Sequence, residues 1–222
     1  MTTTKRSFKK IVQKLRSYYG PPPPPKTNDP FALILWEKVA YLVDDVKRER
    51  IFDELREKVG LLPSDILNAS TDQLDEITKL QRHSSQLKEC ALIAFNEFGG
   101  DLNAVLKLPV AKSIKALRQF PGIGEPGAEK ILLFTGTQPI MALDSNGLRV
   151  LLRLGFGEEK KNYTASYRSV REAMADEVRD DCETLLEAHQ LLRQHGKSIC
   201  KTNKPRCNDC PVNQLCSYFL NR

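Results

Sequence analysis

Four cysteines crowd one end of this 222-residue chain: Cys200, Cys207, Cys210 and Cys216, spaced C-x6-C-x2-C-x5-C. Thiolates are soft ligands, and four on one short irregular loop can converge on one centre. Pro205, Asn208, Asp209 and Pro211 favour turns over helix in this loop. Tetrahedral zinc and an iron–sulfur cube both suit four cysteines. Zinc sites usually pair two short knuckles, and only Cys207 and Cys210 form one here. The spacing is not a ferredoxin spacing either. The other two cysteines, Cys90 and Cys182, fall among apolar helical residues and read as plain buried cysteines.

A second group runs from Leu117 to Gly124, Leu-Arg-Gln-Phe-Pro-Gly-Ile-Gly. Gly122 and Gly124 permit backbone angles closed to other residues. Their amides, with those opening the next helix, can point at one phosphate oxygen. Ile123 between them can plug into the core and fix the turn. Downstream, Asp144 sits where another helical pattern begins, a common place for a capping carboxylate.

These groups must be held by helices, because little else is encoded. Residues 5–19 place Phe8, Ile11, Val12, Leu15 and Tyr18 or Tyr19 on one helical face. Gly20 stops that helix, and Pro21 to Pro25 form a stiff spacer of roughly 15 Å at about 3.1 Å per residue. Helical spacing or length then predicts helices over 31–43, 46–59, 64–67, 71–80, 85–98, 102–106, 111–120, 126–134, 145–154, 163–178 and 182–195. Gly99-Gly100, Pro109, Pro121-Gly122 and Gly155 punctuate them. Strand-type alternation is almost absent, so the class is all-α.

Composition narrows the function classes. Apolar residues make up 41% and charged residues 28%, which excludes a disordered chain. No apolar run is long enough to span a membrane. The opening Met-Thr-Thr-Thr-Lys-Arg leads into a basic amphipathic stretch and not into a signal-peptide core. A cytoplasmic protein with reduced cysteines is expected, and clustered reduced cysteines suggest metal before disulfides. Lys plus Arg number 34 and Asp plus Glu 28, for a net charge of +6. The isoelectric point of about 9.0 suits a nucleic-acid binder and a basic soluble enzyme equally.

The stretch from His195-Gly196 through Cys200, Pro205-Arg206-Cys207 and Cys210 to Cys216 resembles the C-terminal cluster loop of endonuclease III and the adenine DNA glycosylases. In that family the spacing carries a [4Fe–4S] cluster, usually structural, so the resemblance implies that cofactor on Cys200, Cys207, Cys210 and Cys216. It also implies that Lys201, Lys204 and Arg206 present cations to DNA phosphates. The turn at Gly122, Ile123 and Gly124, with Asp144 beyond it, is similar to the family's helix-hairpin-helix–Gly/Pro–Asp motif, which grips the DNA backbone without reading sequence. On this resemblance Asp144 is the catalytic carboxylate. Cleaving a base from deoxyribose builds positive charge at the anomeric carbon, which a carboxylate stabilises while it steers water.

Two departures qualify the likeness. Bifunctional members carry a lysine just after the hairpin that attacks the sugar. Pro126 stands at that position and has no amine; Lys130, one turn on, is the candidate for a relocated nucleophile. The family's Gln-rich stretch is replaced here by Glu37 to Asp45, with Tyr41 or Leu42 where a gap-filling glutamine would stand. Either is a candidate base-pocket residue or apolar wedge. Asp44 and Asp45 would repel phosphates or cap the next helix.

The resemblance implies two helical domains with a DNA-binding cleft between them. Residues 28–138 form a helical barrel carrying the hairpin at about 111–135. Residues 1–27 with 139–222 form the cluster domain. The expected protein is a monomeric, nucleoid-associated DNA glycosylase of base excision repair. It acts on double-stranded DNA with a damaged or mismatched base, flipped out to reach Asp144. Pro126 makes it monofunctional. A degenerate damage- or junction-binding protein is the alternative, and a glycosylase/lyase using Lys130 ranks last. Binding by hairpin amides and loop cations should be strongly salt-dependent. Replacing Lys201, Lys204 and Arg206 together with Ala is expected to flatten the slope of affinity against salt in a fluorescence titration; an unchanged slope removes the loop from the interface.

Overall fold

Apolar spacing at three and four residues becomes helix along the chain. The computed structural model describes residues 7–39, 44–79, 81–178 and 181–221, and no strand occurs among them. In chain order the helices are α1 (Phe8–Tyr19), α2 (Pro30–Lys38), α3 (Asp45–Lys58), α4 (Pro63–Asn68), α5 (Thr71–Thr78), α6 (Gln81–Phe98) and α7 (Asn103–Leu106). They continue with α8 (Val110–Leu117), α9 (Glu125–Phe134), α10 (Ser145–Leu154), α11 (Tyr163–Met174), α12 (Cys182–Ser198) and α13 (Ser217–Leu220). Two short 3-10 turns, Cys207–Asp209 and Asn213–Leu215, punctuate the cysteine loop. Contacts divide the chain into two compact units, Pro25–Gln138 and Met1–Pro24 with Pro139–Arg222.

The Pro25–Gln138 unit is built around α6, against which α2, α4 and α5 pack. Asp29, Asp44 and Ser70 cap α2, α3 and α5 by accepting backbone N–H groups with their side chains. Asp44 is therefore a capping residue, one of the two roles open to it in sequence. Trp36 meets Phe52 edge-on at 5.1 Å, and Phe98 stacks on Phe120 at 5.9 Å. Cys90 is fully buried in this core, and burial pushes its thiol up to about 12.

In the other unit, α10 packs along α12, and α1 lies on α12 with Phe8, Ile11, Val12 and Leu15 buried. Tyr18 turns out to solvent, while Tyr19 stays with the core and bonds His195 and Ser198. Helix α11 ends at Met174, short of the expected Val178. Glu177 is diverted there: its carboxylate accepts the Phe8 N–H at 3.0 Å and satisfies an orphan donor at the start of α1. Cys182 is only half-buried at the first position of α12, and is not the core cysteine its apolar neighbours suggested.

The approach of α10 to α12 depends on Gly196. A Cβ there would stand 2.7 Å from Asn146 Cβ and 2.8 Å from the Asn146 carbonyl oxygen. Gly196→Ala forces the helices apart and is expected to cost about 1–3 kcal/mol, as overpacking does. Urea unfolding of the two proteins measures it.

Candidate active site and cysteine pocket

The hairpin between α8 and α9 has the geometry its glycines require. Gly122 adopts φ +70° and, with Gly124, is exposed, while Ile123 between them is buried and donates its N–H to the Phe120 carbonyl at 3.0 Å. Gly124 is the N-cap of α9 and offers no side chain, so no capping side chain blocks the first-turn amides. Apart from Pro126, which has no N–H, amides that open a helix in this way can take an anion. Pro126 lies in the first turn of α9, where proline is tolerated and no amine is available.

Sequence reasoning missed what supports this turn. Lys38, at the end of α2, is 6% exposed, and its Nζ would stand 2.7 Å from a Cβ placed on Gly122. Burial lowers its pKa, opposed by Cys90, Glu37 and Glu89. The turn is thus built directly over a buried amine. A lysine ending an apolar helix reads as solvated, so the pattern held no signal of this.

Lys130 is not a free amine. Its Nζ lies 2.5 Å from Glu37 Oε1 and 5.5 Å from the centre of the Phe134 ring. A nucleophilic lysine must have its amine free to reach the sugar; this one is engaged by a carboxylate of its own unit. Tyr41 and Leu42 lie outside the described residues.

In the other unit, Asp144 is the N-cap of α10. Its Oδ1 accepts the Gly147 N–H at 2.7 Å, and its Oδ2 accepts Asn146 Nδ2 at 3.1 Å. Arg193 Nε, from α12, stands 3.3 Å from the same Oδ2. Burial pushes the carboxyl up, but the Gly147 amide, the charge of His189, the Asn146 amide and Arg193 together outweigh it, and the net direction is down. The capping role and an ionised carboxylate available for chemistry coexist in one residue.

The four loop cysteines line one pocket, together with Val150, Arg153, His195, Ile199 and Val212. All are free thiols. Burial pushes Cys210 up to about 11, and Cys200, Cys216 and Cys207 add to this electrostatically, so the four sulfurs share one field. Among the described residues no three His, Cys, Asp or Glu side chains converge closely enough for one metal ion. The donor chemistry nevertheless suits a cluster of sulfide and iron. Arg153 Nη1 lies 3.5 Å from Cys200 Sγ and His195 Nε2 lies 3.4 Å from Cys210 Sγ. The Val212 amide serves Cys210, and the Phe219 and Tyr218 amides serve Cys216. Arg149 ties this loop to α10 by donating to the Cys200 and Gly196 carbonyls at 3.0 and 2.8 Å. Arg153 donates to the Lys201 and Thr202 carbonyls at 2.7 and 3.0 Å. Lys201, Lys204 and Arg206 are all exposed on this loop.

No family model matches the chain. It is 30% identical over 198 residues to endonuclease III of Sulfolobus acidocaldarius, spanning 88% of this chain and 85% of that one. It is 24% identical over 203 residues to a thymine/uracil-DNA glycosylase of Methanothermobacter thermautotrophicus, spanning 87% and 84%. Among solved structures, a thermostable thymine-DNA glycosylase superposes with a TM-score of 0.77 at 21% identity over 97% of both chains. A trapped endonuclease III–DNA covalent intermediate gives 0.75 at 18% identity over 96% of both. The fold is that of the helix-hairpin-helix DNA glycosylases. The chain belongs to the endonuclease III family, among DNA glycosylases of the endonuclease III and thymine-DNA glycosylase type.

The lowered Asp144 pKa carries a pH signature. A carboxyl with a depressed folded pKa contributes stability that is present above its unfolded value, near 4, and lost as pH falls through the folded value. In urea unfolding, the stability difference between the protein and Asp144→Asn is expected to be constant at neutral pH. It should shrink below about pH 4.

Proposed function

We propose that the protein is a monofunctional DNA glycosylase that hydrolyses the N-glycosidic bond of a damaged or mismatched base in double-stranded DNA. The observation that carries this reading is the pairing of an ionised, dipole-held Asp144 with a hairpin that offers no attacking amine. Hairpin amides at Gly122 and Gly124, with Lys201, Lys204 and Arg206, bind phosphates, and Ile123 anchors the turn. The target nucleotide is flipped from the duplex. As the bond from C1′ to the base stretches, its electron pair leaves with the base. Asp144 stabilises the positive charge left on the sugar, and water adds to C1′ with loss of a proton. Pro126 has no amine and Lys130 is engaged by Glu37, so neither supplies the attacking group of a lyase.

Cys200, Cys207, Cys210 and Cys216 would hold a [4Fe–4S] cluster. All four line one pocket, and their C-x6-C-x2-C-x5-C spacing lacks the second short knuckle that zinc sites usually pair. Such a cluster, when bound, ties the loop together and keeps its cations in place. Iron and sulfide analysis of protein purified without exposure to chelators should give both elements. Zinc without iron refutes the assignment. Cys207→Ser is expected to lower the folded yield.

The test of the chemistry uses a panel of lesion and mismatch duplexes, with alkali to reveal abasic sites and borohydride to trap imines. Base release with little or no trapped enzyme–DNA adduct is expected. Asp144→Asn should lower turnover by orders of magnitude while DNA binding persists or tightens. Efficient trapping by the unaltered protein refutes monofunctional hydrolysis. If no lesion yields an abasic site, the protein is a binding member of the family.

A further inference from the structure

Asp144 is held by a cation for which hydrolysis has no use. The Gly147 N–H and the Asn146 amide orient the carboxylate without cancelling its charge. Arg193 is different: its guanidinium brings a full positive charge to 3.3 Å from Oδ2. A carboxylate stabilises a cationic sugar only with charge that is not already neutralised. An arginine fixed there would offer the sugar a neutral pair.

Three features make Arg193 a removable partner. Its side chain is 27% exposed, so it borders solvent and a ligand can reach it. The carboxylate keeps its place without it, because Gly147 and Asn146 belong to the same helix start as Asp144. The neighbouring Arg149 cannot substitute, since its guanidinium is committed to Asn146 Oδ1 and to the Gly196 and Cys200 carbonyls. A nucleotide that presents its sugar to Asp144 carries a phosphate on either side. Arginine can grip phosphate with two parallel N–H donors, whereas its contact with Asp144 runs through Nε at 3.3 Å.

We propose, resting on the reading of Asp144 as the catalytic carboxylate, that Arg193 is a substrate-released latch. In the free protein it neutralises Asp144, and a phosphate flanking the target nucleotide draws it away, so that the full negative charge is presented to the sugar. Arg193 is thus a positioning residue: it touches phosphate and acts on the sugar through Asp144. The latch keeps the ionised carboxylate paired until a nucleotide with both its sugar and its phosphate is in place.

The test needs no knowledge of the base. The probes are duplexes with one abasic nucleotide whose ring is a neutral tetrahydrofuran or a cationic pyrrolidine, a mimic of the charged sugar. Each is made with ordinary linkages and with an uncharged methylphosphonate on the 5′ or the 3′ side. The full-length protein should prefer pyrrolidine over tetrahydrofuran by at least tenfold in Kd on ordinary DNA. With one of the two methylphosphonates that preference should collapse to within about twofold, because Arg193 stays on Asp144. In Arg193→Gln the preference should persist whichever linkage is present. Arg193→Lys should restore sensitivity to the linkage. Asp144→Asn should lose the preference on every duplex; if it keeps it, the catalytic reading of Asp144 falls and the latch with it. If Asp144→Asn loses the preference but the unaltered protein keeps it on both methylphosphonate duplexes, the latch alone is refuted. Loss of the preference in Arg193→Gln on ordinary DNA also refutes it, since Arg193 would then be a fixed support of Asp144.

Discussion

Helices α10 and α12 meet where Gly196 leaves no room for a Cβ against Asn146. Much of the functional unit hangs on that approach. It brings Arg193 and His189 of α12 to the start of α10, where Asp144 sits. It also lets Arg149 reach the Gly196 and Cys200 carbonyls from the middle of α10. One turn further on, Arg153 reaches Cys200, Lys201 and Thr202. Helix α10 therefore carries the carboxylate at one end and holds the cysteine loop with two arginines nearer the other. The loop spends its backbone carbonyls on these guanidinium groups, which satisfies acceptors that an irregular segment could not pair within itself.

The same economy marks Asp144. Capping a helix requires an ionised or polar side chain aimed at first-turn amides, and those amides then hold the carboxylate ionised against the cost of burial. A capping residue at this place is thus already prepared for electrostatic work. Its environment has been tuned from the neighbouring helix, because the charged partner, Arg193, comes from α12 and not from α10.

Lysines divide by what they face. Lys130 finds Glu37 and the Phe134 ring and is held there. Lys38 is buried beneath the turn at Gly122, where desolvation works against its charge. In the loop, Lys201 and Lys204 stay in water as phosphate-facing charges would. Their positions in sequence do not sort them into these classes; their surroundings do.

Local chemistry was legible from the residues alone. The helix pattern, the glycine turn with Ile123 plugged inward, Pro126 in a first turn, Asp144 as a cap and the single cluster of cysteines all follow from short-range spacing. Backbone hydrogen bonding and apolar periodicity act over three or four residues, so a linear reading captures them. What the tertiary structure alone decided lies in partners far apart in the chain: Glu37 with Lys130, Lys38 under Gly122, Glu177 on Phe8, and Arg193 on Asp144. Glu37, Lys38, Glu177 and Arg193 are charged residues that the sequence presents as solvated side chains. Only packing determines which charges lose their water, and a charge that loses water must find an opposite charge, a dipole or a shifted pKa.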